Sequence, residues 1–135
     1  MNREIKFRVW DKYKKQMYPI SSIDYDIFSQ EINIIAVGHK NGMCTSYNKN
    51  HNSEKCDITA LELMQYTGLK DKNGKEIYEK DIVKYENMIG KIMFFNGSFI
   101  LSDFEETEEW ELGIINEELE VIGNIYENSE LLGGE

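Results

Sequence analysis

The pair Asn73-Gly74 constrains the fold most, because it lies between two segments rich in apolar and aromatic residues. Asn-Gly is the strongest short signal for a two-residue β-hairpin turn, since both central positions of that turn need a positive φ. Residues 63–83 are therefore predicted to form a hairpin around this turn. Its apolar face is expected to contain Tyr66, Leu69, Ile77 and Tyr78, and its tip is kept in water by Lys70, Asp71, Lys72, Lys75 and Glu76.

The N-terminal part of the chain also shows strand patterns. Apolar and polar residues alternate across residues 5–10, as in a half-buried strand. Residues 17–18 return as a second strand, which Pro19 is expected to end. β-branched residues predict a further strand within 25–37, and the polar residues 38–55 predict a long loop or a weak hairpin.

The C-terminal part contains several short predicted strands at close spacing. They cover residues 82–85, 91–95, 98–102 and 119–123, and Asn96-Gly97 supplies another turn. Such a meander of short strands is the signature of a small barrel or sandwich.

Together these patterns predict a mainly β fold of the β-rich α+β class. We expect a β-rich N-terminal portion in residues 1–57 and a small SH3-like barrel in residues 58–135, packed as one compact unit. Short helical turns are expected within 57–62 and 124–132. A chain of 135 residues is long enough to bury roughly two-thirds of its unfolded surface in a core.

Three blocks of sequence resemble a known family. The chain carries REIKFRVWD at 3–11, a run from QYTGL to DIV at 65–83, and VIGNIYEN at 121–128. In this order the blocks resemble the YopX family of phage and prophage proteins. The sequence departs from the family pattern at Lys80, where the family usually has glycine. The resemblance implies a small phage protein of unknown activity.

The net charge of −10 is unevenly distributed along the chain. Residues 1–20 hold six Lys or Arg against two acids, whereas residues 101–135 hold twelve acids and no Lys or Arg. A chain this acidic is a poor nonspecific binder of nucleic acid, because the phosphate backbone favours clustered cations. No apolar run approaches the roughly 20 residues of a membrane span, and the start lacks a signal-peptide core, so we expect a cytoplasmic protein without membrane contact.

Four potential zinc ligands lie in and next to the polar stretch, as two His-Cys pairs with equal spacing. They are His39, Cys44, His51 and Cys56. Thiolate and imidazole are preferred zinc ligands, and four suffice for a closed tetrahedral site. The spacing matches no common zinc module, however, so we expect loop histidines and free cysteines, with no metal and no cofactor.

Two surfaces are candidates for macromolecular contact. The first interleaves cations with aromatic residues, as proteins that stack on single-stranded nucleic acid do, and contains Arg3, Lys6, Arg8, Trp10 and Tyr13. The second is acidic around one tryptophan and contains Glu105, Glu106, Glu108, Glu109, Trp110 and Glu111. Dense carboxylates steer association with basic partners. For both surfaces the simpler reading is a solvated strand edge or loop.

No catalytic constellation is present in the sequence, since both histidines lie in the polar stretch. We expect a non-enzymatic accessory protein that contacts an unidentified protein partner and forms homo-oligomers. In such an oligomer the basic face of one copy would meet the acidic face of the next, which would also cover exposed strand edges. Two alternatives stay open: a nucleic-acid-binding protein that uses the basic N-terminal strand, and an acidic nucleic-acid mimic that inhibits a host protein.

Overall fold

The computed structural model describes residues 4–49 and 56–131, which are mostly antiparallel strands, and this confirms the mainly β class. The strands described are β1 (Phe7–Asp11), β2 (Gln16–Asp26), β3 (Glu31–Gly38), β4 (Cys44–Asn48), β5 (Leu61–Lys70), β6 (Glu76–Tyr78), β7 (Asp81–Tyr85), β8 (Met88–Phe95), β9 (Ser98–Asp103), β10 (Glu109–Glu111) and β11 (Leu119–Asn124). The structure also contains a short helix, α1 (Leu112–Ile115), and 3-10 turns at Ile58–Ala60, Asn116–Glu118 and Ser129–Leu131. The first and last of these turns confirm the two predicted helical turns.

Contacts divide the described residues into an N-terminal unit, residues 6–64, and a C-terminal unit, residues 65–131 together with residues 4–5. Strand β5 therefore begins in the N-terminal unit and ends in the C-terminal unit. In the N-terminal unit the strand order is β4-β3-β2-β1, followed by the first half of β5. Its core is built on Val9, Ile35, Val37 and Tyr47.

Strand β2 is longer than the sequence predicts. β1 pairs with β2 only as far as Pro19, which lies opposite Arg8. The prediction that Pro19 ends the strand is wrong, because β2 continues to Asp26. A bulge between Ile20 and Ser22 follows the proline, and proline is tolerated at such irregular positions in a sheet.

The far end of the β2–β3 hairpin projects as two strands. Among the described residues, β2 beyond Pro19 pairs only with β3, and the part of β3 before Ile34 pairs only with β2. We name residues 24–34 the hairpin arm. The strand predicted across 25–37 is therefore interrupted by a turn at 27–30. β3 also pairs with β4, which confirms the weak hairpin predicted for the polar stretch.

In the C-terminal unit, a five-stranded sheet has the order β10-β9-β8-β7-β11, and the second half of β5 pairs with β6. Its core contains Ile77, Val83, Ile92, Leu101, Leu112, Ile115, Leu119 and Val121. Strands β10 and β11 are edges, so the described part of this unit does not close into the predicted SH3-like barrel. Helix α1 follows β10 and inserts Leu112 and Ile115 into the core, so the chain fills this side with a helix rather than with a closing strand pair.

The central hairpin is present, but its turn differs from the prediction. Lys70 pairs with Glu76, so the connection is wider than two residues. Gly74 has a φ of +81°, and its N–H donates to the carbonyl of Asp71 at 2.9 Å. The two-residue turn is wrong here because the Asp71 side chain organises a wider loop. The predicted turn at Asn96-Gly97 is confirmed, with φ values of 52° and 82°.

Lys80 adopts the backbone conformation that a glycine would take at this position. Its φ is +71°, in the left-handed region that a Cβ atom disfavours. Two backbone hydrogen bonds hold it there. The Lys80 N–H donates to the Ile92 carbonyl at 2.8 Å, and the Ile125 N–H donates to the Lys80 carbonyl at 3.0 Å. The departure from the family glycine therefore leaves the turn geometry intact.

Candidate protein-contact site

Buried carboxylates stabilise turns by accepting hydrogen bonds, and Asp11 does so in the turn between β1 and β2. Its Oδ1 accepts from the N–H groups of Tyr13 and Lys14 at 2.8 and 2.9 Å, and its Oδ2 accepts from the Tyr47 hydroxyl at 2.6 Å. Burial alone would raise the pKa of Asp11, but the hydrogen bonds from Tyr47, Lys14 and Tyr13 outweigh it and hold that pKa below its usual value. Burial and the hydrogen bond to Asp11 raise the pKa of Tyr47.

Asp71 likewise stabilises the turn of the central hairpin by accepting hydrogen bonds. Its Oδ1 accepts from the N–H groups of Asn73 and Lys75 at 2.8 and 2.9 Å, and its Oδ2 accepts from the Val121 N–H at 2.9 Å. Burial raises the pKa of Asp71, but the three backbone donors outweigh burial, so this pKa also lies below its usual value. One buried carboxylate thus fastens the hairpin turn to β11.

The third sequence block contains a similar residue. Asn124 is buried, and its Oδ1 accepts from the N–H groups of Tyr126 and Glu127 at 3.0 and 2.9 Å. Each block that carries the family resemblance therefore holds a buried polar side chain bonded to nearby backbone, in Asp11, Asp71 and Asn124. We conclude that these residues stabilise turns, and we place the contact site elsewhere.

The zinc candidates that the structure describes are not grouped as one set of ligands. His39 Nε2 lies 2.7 Å from the Thr45 hydroxyl, and its ring packs edge-on against Tyr18 with centroids 5.2 Å apart. The others are the exposed, free Cys44, the half-buried, free Cys56, and His51, which lies outside the described residues. Within residues 4–49 and 56–131, no three His, Cys, Asp or Glu side chains are grouped to hold a metal ion. The absence of zinc stays a prediction.

The basic candidate surface offers fewer accessible groups than the sequence suggests. Arg3 lies outside the described residues, and Lys6 and Arg8 are half-buried. Trp10 is buried, whereas Tyr13 is exposed. Because stacking on a base needs an accessible ring face, Trp10 cannot supply a stacking platform in this fold.

The acidic candidate surface is exposed except for its aromatic residue. Trp110 packs against the core and lies edge-on to Tyr85, with ring centroids 5.7 Å apart. Glu106 forms an ion pair with Lys91 at 3.0 Å. All five carboxylates of this surface are exposed, namely Glu105, Glu106, Glu108, Glu109 and Glu111. The surface therefore consists of exposed acids around a half-buried tryptophan.

The hairpin arm carries an apolar tip that projects into solvent. Phe28 is 91% exposed, the largest value for a large apolar side chain among the described residues. Its neighbour Ile27 is 69% exposed, and Tyr25 is 54% exposed. Three exposed side chains of this size within four residues are costly to leave in water, and contiguous exposed apolar surface marks contact sites.

The tip has a defined conformation. Asp26 Oδ1 accepts from the Phe28 N–H at 2.9 Å, and the Asp26 carbonyl accepts from the Gln30 N–H at 2.7 Å. Gln30 completes the turn with a φ of 60°. The hydrogen bond from Phe28 lowers the pKa of Asp26. Asp26 therefore stabilises a turn that directs Ile27 and Phe28 outward.

The arm is also acidic. It carries Asp24, Asp26 and Glu31 and no Lys or Arg. Glu31 forms an ion pair with Lys49, which lies just beyond β4, whereas the two aspartates lie on either side of Tyr25 next to the apolar tip. The arm thus presents an apolar tip with negative flanks.

Sequence reasoning missed this site because it assigned residues 25–37 to a single strand. A local signal exists: Asp26 and Ser29 are common turn residues, and they enclose the pair Ile27-Phe28. Apolar residues in that position read equally well as the core side of a strand.

The fold and the arm define a class: a β-rich protein whose N-terminal unit bears a projecting hairpin and whose C-terminal unit is an open antiparallel sheet. Across the described part of the chain, no helix has the length and apolar character needed to cross a bilayer.

The chain belongs to the YopX family, since the family model described as YopX protein matches residues 6–133. Its fold is similar to the crystal structure of protein EF1440 from Enterococcus faecalis, with a TM-score of 0.67, 29% identity, and coverage of 97% of this chain and 99% of that one. It is also similar to the crystal structure of YopX from Bacillus subtilis, with a TM-score of 0.61, 21% identity, and coverage of 94% and 97%. Among curated proteins, none matches this sequence.

Proposed function

We propose that this chain is a phage or prophage accessory protein that acts through protein contacts rather than catalysis, and that it associates with further copies of itself through the hairpin arm. The observation that carries the proposal is the apolar tip, where Phe28 is 91% exposed in a turn held by hydrogen bonds.

The energetics of the tip favour association. Fully burying a Phe or Ile side chain contributes about 1.5–3 kcal/mol each. Covering Ile27 and Phe28 together therefore offers about 3–6 kcal/mol before the cost of association is subtracted. A preformed turn reduces that cost, because fewer backbone and side-chain rotations are lost when the contact forms.

The strand pairing of the arm supports the same proposal. A two-stranded hairpin alone is at best marginally stable in water. In the described residues, the two strands of the arm pair only with each other, apart from Ile34, which also lies opposite Asn48 of β4, and their outer edges present backbone N–H and C=O groups. A contact that covers the arm would stabilise it and protect these edges.

Sedimentation velocity over a range of protein concentrations tests the proposal. We expect the wild-type chain to form oligomers as concentration rises, and the Ile27→Ser, Phe28→Ser variant to require at least a tenfold higher concentration, equivalent to about 1.4 kcal/mol. The matched control is Met43→Ser, since Met43 is 66% exposed in the other turn of β3.

The control variant should associate as the wild type does. A wild-type chain that stays monomeric at every concentration would contradict the proposal. Equal weakening by Met43→Ser and by the tip substitutions would also contradict it, because the effect would then be one of general surface hydrophobicity rather than of the arm.

A further inference from the structure

We propose that the receiving site for the arm is an apolar pocket on β8 of a second copy of this chain, and that the resulting contact is heterologous. The inference rests on the proposed self-association and identifies the surface that the arm contacts. We name this site the β8 pocket.

The β8 pocket lies wholly within the C-terminal unit. Met93, Phe94 and Ile125 supply apolar lining, and Lys80 and Lys91 also line it. Phe94 is 54% exposed, although one edge of its ring packs against Phe99 with centroids 5.1 Å apart. The pocket therefore contains an aromatic ring with room for another apolar side chain beside it.

The size of the pocket suits one aromatic side chain. Its volume is about 220 Å³. An apolar protein cavity of roughly 150 Å³ accommodates a benzene molecule. A phenyl ring such as that of Phe28 would therefore fit, with space left for part of the neighbouring Ile27.

Charge complementarity favours the arm as the occupant. The arm carries three acids and no Lys or Arg, whereas the pocket is lined by two lysines and one glutamate. The carboxylate of that residue, Glu79, accepts a hydrogen bond from the Gln65 N–H at 2.9 Å and is thus held by its own chain. Lys80, and Lys91 once it exchanges its ion pair with Glu106, would attract the aspartates on either side of Tyr25, and this would set the register of the contact.

Two other depressions in the described surface fit the arm less well. A depression beside β9 and β10 is lined by Glu106 and Glu109, which would repel an acidic arm. One beside Tyr18 and His39 has a volume of about 450 Å³, which one aromatic side chain would not fill. Of these three depressions, only the β8 pocket is lined by two lysines.

The type of assembly depends on whether the arm binds a different surface of the second copy or the arm of that copy. The arm and the pocket are different surfaces of the same chain, so each copy can donate one arm and receive another. Heterologous contacts of this kind close into a ring or continue as a filament, whereas a tip-to-tip contact would give only a twofold dimer.

Complementation between two defective variants tests the inference. The arm-defective chain is Ile27→Ser, Phe28→Ser, and the pocket-defective chain is Phe94→Glu. Lys91→Glu is a second pocket variant in case the first does not fold, since the exposed ion pair of Lys91 with Glu106 contributes little to stability. The matched control is Ile114→Glu, because Ile114 is 78% exposed on α1 and outside the pocket.

Sedimentation velocity would be measured on each chain alone and on equimolar mixtures. We expect each defective chain to associate at least tenfold more weakly than the wild type, and their mixture to form a one-to-one dimer through the single remaining arm and pocket. Ile114→Glu should assemble as the wild type does.

Two results would overturn the inference. If arm variants are monomeric but both pocket variants assemble normally, the receiving site is elsewhere, although the proposed self-association stands. If both defective chains are monomeric and their mixture stays monomeric at high concentration, the contact is not heterologous. A monomeric wild-type chain would instead contradict the proposed function itself.

Discussion

The turn at Asp71 and the tip of the hairpin arm are built alike but face different surroundings. In each, an aspartate Oδ1 accepts from the N–H two residues later, at 2.8 Å from Asn73 and at 2.9 Å from Phe28. Asp71 is buried and its turn carries lysines, whereas Asp26 begins a turn that exposes Phe28 and Ile27. The same backbone chemistry thus supports a solvated turn in one unit and an apolar projection in the other.

The two turns therefore have different roles, one in folding stability and the other in exposing apolar side chains. The hydrogen bonds of Asp71 connect the turn to β11 and contribute to folding stability. Those of Asp26 stay within the arm and stabilise only the presentation of its tip. We therefore expect substitution of Asp71 to lower folding stability strongly, and substitutions in the arm to weaken association.

The largest expected effect comes from removing the buried carboxylate. Asp71→Ala leaves three backbone N–H groups without their acceptor, and we expect the free energy of unfolding to fall by about 3–5 kcal/mol. Denaturant unfolding followed by tryptophan fluorescence would measure it. Asp26→Ala is the control, and its midpoint should stay near that of the wild type, since water can replace an exposed acceptor. Equal losses at both positions would refute the distinction between the two turns.

A smaller effect is expected when the pH is lowered. The pKa of Asp71 lies below its usual value, so its stabilising contribution is complete above the unfolded pKa of about 3.9 and is lost as the pH falls through the folded pKa. The difference in unfolding free energy between the wild type and Asp71→Asn should therefore narrow from about pH 7 to about pH 3. A difference that stays constant across this range would show that the carboxylate charge contributes nothing.

A gain in stability is expected at Lys80. A Cβ atom at the φ of +71° at Lys80 costs about 1–2 kcal/mol in strain, which replacement by glycine would remove. The glycine would in turn lose about 0.5–1 kcal/mol more backbone entropy on folding. We expect the free energy of unfolding to rise by about 0.5–1 kcal/mol. Lys84→Gly, within β7, is the control and should destabilise. A loss of stability in Lys80→Gly would mean that the lysine side chain contributes more than its backbone conformation costs.

The smallest effect on folding is expected at the apolar tip. Ile27→Ser, Phe28→Ser removes side chains that make little contact within the chain, so the unfolding free energy of the monomer should change by less than about 0.5 kcal/mol. Thermal unfolding at a concentration too low for assembly would measure this. A marked destabilisation would assign the tip to folding rather than to partner contact.

Local features of this fold could be predicted from the sequence. The Asn96-Gly97 turn, the 3-10 turn after Asp57 and the strand before Asn124 depend on residues near one another in the chain. The three family blocks also located the residues that fasten turns, although not what those residues do. Asp71 acts through an N–H fifty residues away, at Val121, which no local pattern reveals.

The features that could not be predicted depend on distant pairing. The exposure of Phe28 follows from β1 pairing with β2 only as far as Pro19, which leaves the distal part of the β2–β3 hairpin as a two-stranded extension of the sheet. The C-terminal sheet likewise stays open because α1, which lies in the chain between the edge strands β10 and β11, packs into the core in place of a closing strand pair. The exposure of Phe28 and the open sheet both depend on where strand pairing ends. The alternation of apolar residues in the sequence does not indicate where pairing ends.

Hydrogen exchange at increasing protein concentration tests most directly whether the arm meets a partner copy. Amides of residues 24–34 should become protected as concentration rises, because assembly covers the tip and edges of the arm. Amides around Asp71 should exchange at a constant rate, since that turn is already fastened within the chain. Protection of the arm that stays the same at every concentration would contradict the account.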